Sequence, residues 1–230
     1  MARTFVSIYH FLVWGWYIFI NFYISFQLSK QQIPKARQYG SQWRYLTVLN
    51  LFLQTIFYGI AFLYDAMKGV KRKEDIKWIA AFRDFLFSVL ALPLSSVVFM
   101  IFWALFLLDR ELVYPKTLDE VFPKWFNHAM HTTVLPISLT EVFINHHQYP
   151  SRKTGLVFLS FISVAYISWL LKIYSVTKEW VYPILAKLSP VNLAVFFFAA
   201  YLLLVCFYFL GEHLNQQIWG NRVQKSIKMK

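Results

Sequence analysis

Six stretches of this chain are long and apolar enough to be paths through hydrocarbon. Crossing a bilayer core as a helix takes about 20 predominantly apolar residues, and residues 5–27, 44–66, 85–108, 125–144, 155–174 and 189–211 each meet that length. In lipid every backbone N–H and C=O needs a partner within the chain, which leaves helices or closed barrels. A barrel would show segments of about ten residues alternating in polarity, and none appears. Only 15% of the 230 residues are charged, against about 25% in an ordinary soluble domain. The expectation is an all-α, polytopic membrane protein: one domain over residues 1–230, with six transmembrane helices around a polar cavity. Breakers fall between the stretches at Pro34, Gly40, Gly69, Pro115, Pro150, Pro183 and Pro190. Pro93 and Pro136 lie inside the third and fourth stretches, where a kink is expected.

The chain has 23 Lys and Arg against 11 Asp and Glu. In a soluble protein that balance would suggest nucleic acid. Here the cations sit between apolar runs, as in Lys71-Arg72-Lys73 and the tail Arg222, Lys225, Lys228 and Lys230. That placement suits anionic headgroups of a lipid bilayer, and nucleic-acid binding is not expected. With six crossings, thirteen cations fall on the side of the termini and ten on the other, which favours both termini in the cytosol. The single Cys206 lies in an apolar run, so no disulfide framework is expected. Arg3 precedes the first run, which has no small-residue cleavage site and reads as a retained span.

Polar residues inside a bilayer are costly and point to function. Arg44, Thr47, Asn50, Gln54 and Tyr58 recur at spacings of three and four along the second stretch, which puts them on one helical face. In the fourth, Asn127, His128, His131, Thr132 and Pro136 share a face likewise. Six crossings place the starts of these two helices on the same side of the membrane. Thr47 and His131 then lie within about 5 Å of each other in depth at 1.5 Å per residue. The two faces can line one wet cavity, or they can be interhelical hydrogen-bond glue. His10, His213 and His146-His147 lie near the interfaces and read as structural or solvated.

Three chemistries fit such a cavity. His128 and His131 could ligate zinc, with Glu141 and His146-His147 as further donors, although the remaining ligands cannot be placed. The faces could serve a non-catalytic adaptor. The third is a metal-free nucleophile, with Thr47 activated by a neutral His131. Thr47 falls in a first helical turn, whose unpaired N–H groups suit an oxyanion. Asn50 or His128 would add a donor there, and Arg44 or Lys124 would meet a substrate carboxylate. No metal or cofactor is required by that scheme.

The blocks Ile8-Tyr-His10-Phe, Trp43-Arg-Tyr-Leu-Thr47-Val-Leu-Asn50, Leu53-Gln-Thr-Ile-Phe-Tyr-Gly59, Phe82-Arg-Asp-Phe-Leu-Phe87, Asn127-His-Ala-Met-His131-Thr, Tyr149-Pro-Ser and Gly211-Glu together resemble the androgen-induced protein family of integral-membrane hydrolases, over essentially the whole chain. The resemblance implies a six-span threonine hydrolase that cleaves fatty acid esters of hydroxy fatty acids, with the family's nucleophile on Thr47 and its essential histidine on His131. It also implies a caveolar cell-membrane setting in endothelial cells, with membrane-protein partners there. A regulatory effect on cell-associated tissue factor pathway inhibitor, and so on coagulation, is implied with it.

Overall fold

The computed structural model describes residues 2–30, 39–70 and 75–228, apart from the side chains of residues 2, 3 and 221–228. Pro34, Lys71-Arg72-Lys73 and Lys230 lie outside the described residues, as do the side chains of Arg222, Lys225 and Lys228. Among the described residues there is no strand. Five helical stretches among the described residues have the length and apolarity to cross a membrane: Thr4–Ser29, Leu46–Lys68, Lys77–Leu108, Arg152–Thr177 and Pro190–Gly220.

Helix α1 (Ala2–Ser29) packs along α2 (Leu46–Lys68). The third rod is continuous but changes pitch along its length. Helix α3 (Lys77–Phe85) passes through a π-turn, Leu86–Ala91, into α4 (Leu92–Leu108). Pro93 is the second residue of α4, so its missing N–H falls where the π-turn has already widened the ladder. This rod is the centre of the bundle: 67% of its most apolar window is buried, against 11% in the last helix.

The fourth stretch departs from expectation. It is two short helices, α5 (Lys124–His131) and α6 (Val134–Ile144), and neither alone is long enough to cross. The break has a local cause. Pro136 has no N–H to give the Thr132 carbonyl, and its ring crowds that carbonyl. Thr132 N–H keeps the ordinary helical bond to the His128 carbonyl at 2.8 Å, and Thr133 N–H reaches back to the same carbonyl at 3.0 Å, a wider step that ends α5. Helices α7 (Arg152–Thr177), α8 (Pro183–Lys187) and α9 (Pro190–Lys228) complete the chain.

Buried aromatics knit the middle, with Tyr17 stacked on Tyr58 and Phe57 against Phe87. Gly155 lets α7 meet α9 closely, because a Cβ there would lie 2.7 Å from the Tyr208 ring. Large apolar side chains such as Phe22, Phe161, Val164 and Phe198 point outward instead. That inversion is what a lipid surround selects, and the chain is a multi-pass membrane protein.

Candidate active site

The site begins at the entry to α2. Gly40, at φ +78°, turns the chain into a short 3-10 turn, Ser41–Arg44, and Tyr45 is extended. A side chain at position 40 would be strained by that φ and would press on Trp169. Helix α2 then starts with no side-chain cap of its own. Its first N–H, from Leu46, donates to the Tyr182 hydroxyl at 2.8 Å. The Tyr182 and Tyr166 hydroxyls are 3.1 Å apart, and Tyr166 donates to the Arg44 carbonyl. Two tyrosines from outside the helix therefore pin its first turn. Burial pushes the Tyr182 phenol up to about 12, which keeps it a neutral hydroxyl. The N–H groups of Thr47 and Val48, next in line, have no carbonyl to bond within the helix.

Helix α5 brings the partner. Its core side is Phe126, Ala129 and Met130, and its polar pair is Asn127 and His131, one turn apart. His131 Nε2 lies 3.2 Å from Thr47 Oγ1. Its other nitrogen, Nδ1, is 2.7 Å from Asn127 Oδ1 and 3.1 Å from the Asn127 carbonyl. The imidazole lies flat on Phe102 of α4, with ring centroids 3.5 Å apart and an interplanar angle of 6°. The ring is thus held in its plane by Asn127 and on one face by Phe102.

Thr47 and His131 open onto a cavity of about 270 Å³, bounded by α1, α2, α4, α5, α7, α8 and α9 and by the segment from Val113 to Phe122. Its wall is largely hydrocarbon and aromatic, including Ile24, Val97, Ile101, Leu170 and Phe197. The polar groups are a minority: Thr47 and His131 with Gln42, Ser163 and the tyrosines 45, 114, 166, 182 and 201. Among the described residues no charged side chain lines it. In place of the expected polar cavity the structure has a largely apolar chamber with a minority of polar groups.

The other expected site residues are not gathered there. Asn50 is buried in the seam between α2 and α4, donating to Ser95 and accepting from Gln54. Gln54 in turn donates to Ser95 and the Ala91 carbonyl. This half of the α2 polar face is interhelical glue. His128 is exposed, stacks on Trp103 and shares a hydrogen bond with Thr132. Arg44 is buried in the 3-10 turn with Nη2 on the Tyr39 carbonyl, and Lys124 is exposed at the start of α5. The zinc scheme finds little support in this donor set. Both His131 nitrogens are engaged, and among the described residues no three of His, Cys, Asp and Glu converge as a metal site needs. The sequence reading passed over Asn127 and Phe102 as partners of His131, and Tyr166 and Tyr182 as clamps. Only Asn127 carried a signal, its place four residues before His131.

A second polar cluster lies at the other end of α2. His10 sits between Asp65 and Glu141, at 2.7 and 3.0 Å. His147 sits between Glu141 and Asp84, at 3.0 Å each, and Arg83 closes on Asp84. His10 and His147 are both buried, each between two carboxylates. His146 is half-buried against Trp219, and burial pulls its pKa down.

Comparison with known proteins follows the same outline. A family model described as FAR-17a/AIG1-like protein matches residues 5–216. The human androgen-dependent TFPI-regulating protein is 51% identical over the full length of both chains. The human androgen-induced gene 1 protein is 40% identical over 204 residues, 86% of this chain and 85% of that one. A UPF0641 membrane protein of Schizosaccharomyces pombe is 30% identical over 171 residues, 71% of this chain and 70% of its own. No solved structure matches.

Proposed function

The chain belongs to the FAR-17a/AIG1-like family, and from that premise we propose that it is a membrane threonine hydrolase of fatty acid esters of hydroxy fatty acids. The observation that carries the reading is the 3.2 Å approach of Thr47 Oγ1 to His131 Nε2 on the wall of an apolar chamber. A Thr hydroxyl is a weak nucleophile until a base takes its proton, and neutral imidazole is the usual base. The chamber's hydrocarbon wall suits an acyl chain, and the Thr47–His131 pair suits one ester group.

The steps follow from those positions. His131 Nε2 takes the Thr47 proton as Oγ1 attacks the ester carbonyl. The carbonyl oxygen becomes an oxyanion beside the N–H groups of Thr47 and Val48, at the positive end of α2. The ester C–O bond breaks, and the departing alkoxide takes the proton from His131, which releases the hydroxy fatty acid. Water then attacks the acyl-threonine while His131 takes its proton. Collapse returns that proton to Thr47 and frees the fatty acid. With no charged group on the chamber wall among the described residues, a carboxylate on the substrate is better placed at the membrane interface, where the exposed Lys124 would meet it, Arg44 being buried against the Tyr39 carbonyl.

In purified full-length protein, Thr47→Ala and His131→Ala are expected to lower ester hydrolysis by about 10³-fold, while Thr47→Ser keeps a measurable part. Parent activity in either alanine variant contradicts the reading. The relatives' name also ties them to TFPI, and at 51% identity we extend regulation of TFPI to this chain. Thr47→Ala serves again here: an unchanged effect on cell-associated TFPI separates regulation from hydrolysis, and a lost one joins them. The same proposal sets the chain in the cell membrane, caveolae included, with both termini in the cytosol as the basic loops favour. Tags at the two ends would then need permeabilised cells to be reached.

A further inference from the structure

We infer that Asn127 is the positioning residue of the proposed base, holding His131 by Nδ1–H so that Nε2 stays bare toward Thr47. The inference rests on the hydrolase reading above. Two acceptors decide which ring nitrogen carries the proton. The Asn127 carbonyl, 3.1 Å from Nδ1, can only accept. That acceptor favours the tautomer with its proton on Nδ1, and the Asn127 side chain meets it with its oxygen at 2.7 Å. Nε2 is left with a lone pair directed at Thr47 Oγ1, which is what a general base requires.

This cradle is uncharged. In Ser-His-Asp triads a carboxylate orients the imidazole and stabilises the imidazolium. Here the elements around His131 offer Thr47 from α2, Phe102 from α4, and Asn127 with the exposed His128 from α5. Tyr114 meets Phe102 edge-on. The imidazolium formed when His131 takes the Thr47 proton is received by an amide oxygen in its plane and by the Phe102 π-face 3.5 Å away. A neutral cradle suits a site walled by hydrocarbon, where a buried carboxylate is costly whenever the ring is uncharged.

The test measures kcat, KM and pH profile on the full chain in detergent, with an ester of a hydroxy fatty acid as substrate. Asn127→Leu is expected to lower kcat by about tenfold to a hundredfold, with KM within about threefold of the parent. The loss stays below the ~10⁴-fold of a wrong tautomer because the backbone carbonyl still holds Nδ1–H. Asn127→Asp keeps an acceptor of the same size and is expected to restore kcat to within about tenfold of the parent. It also moves the acidic limb of the profile to higher pH, since an adjacent carboxylate holds the ring proton more tightly and only neutral His131 can act as base. Parent kcat in Asn127→Leu, or an Asp variant whose acidic limb stays in place, overturns the inference. Should the Leu variant fail to fold, the limb of the Asp variant decides alone. Thr47→Ala and His131→Ala are run alongside. If they are inactive while Asn127→Leu is fully active, the positioning role fails by itself. If they are active, the hydrolase reading has failed first.

Discussion

Three positions along one short helix separate His128 from His131, and their surroundings are opposite. His131 is buried with both nitrogens engaged, whereas His128 is exposed and turned to Trp103 and Thr132. A zinc hydrolase built on the pair would need both rings, and the Thr47 scheme needs only one. His128→Ala is therefore expected to keep hydrolysis within about threefold of the parent, as surface changes away from a site do. A loss matching that of His131→Ala, measured on the same ester, would revive the metal scheme. The contrast also shows what sequence can resolve at this scale. Thr47 and His131 stood out as polar groups at equal depth in apolar runs, and the structure brings them together. Asn50 shares their pattern but faces the α2–α4 seam. A helical face is broad enough to touch both a cavity and a neighbouring rod, and periodicity does not say which residue meets which.

Among the elements, the fourth stretch is where pattern and structure part. Its composition reads as one span, yet Pro136 and the paired threonines before it divide the path into α5 and α6. The division has a use. It ends α5 at His131, beside Thr47, and starts afresh a helix that carries Glu141 to the opposite cluster. Glu141 is fully buried and bridges His10 of α1 to His147 of the segment after α6. The three carboxylates of Asp65, Glu141 and Asp84 face two imidazoles and the Arg83 guanidinium, so the buried charges can balance. The sequence grouped Glu141 with His146-His147 only as zinc donors, and the links to His10, Asp65 and Asp84 were not legible because those residues lie near the ends of other spans. Removing one member of such a network leaves its partners buried without a counter-charge, at a cost of about 3–5 kcal/mol. Glu141→Leu should thus lower the melting temperature in detergent markedly, with Glu141→Gln between it and the parent. A Leu variant that melts with the parent would show that the network contributes nothing to stability.

Across the molecule, among the described residues, the proposed catalytic pair and the ionic cluster occupy two levels at opposite ends of α2, with the neutral Asn50–Gln54–Ser95 seam between them. Thr47 and Asp65 are eighteen residues apart on α2, about 27 Å at 1.5 Å per residue. Beyond the Asn50–Gln54 seam, aromatic and aliphatic packing fills the interval, including Tyr17, Phe57, Tyr58 and Phe87. One level is ionic, saturated and closed by its own partners, and it ties α1, α2, α3 and α6 together. The other is uncharged and opens into the chamber. The lipid-facing shell, the helical class and the rods themselves were legible as long apolar runs, because a bilayer selects on bulk properties. The shape of the chamber was not, since it depends on which side chains of α4, α7 and α9 leave space between them. The most direct measurement is active-site labelling of the intact protein with a fluorophosphonate, followed by peptide mapping of the adduct. The account predicts a single modified residue, Thr47, with labelling abolished in Thr47→Ala and strongly slowed in His131→Ala. An adduct on any other residue, or undiminished labelling of Thr47→Ala, would contradict it.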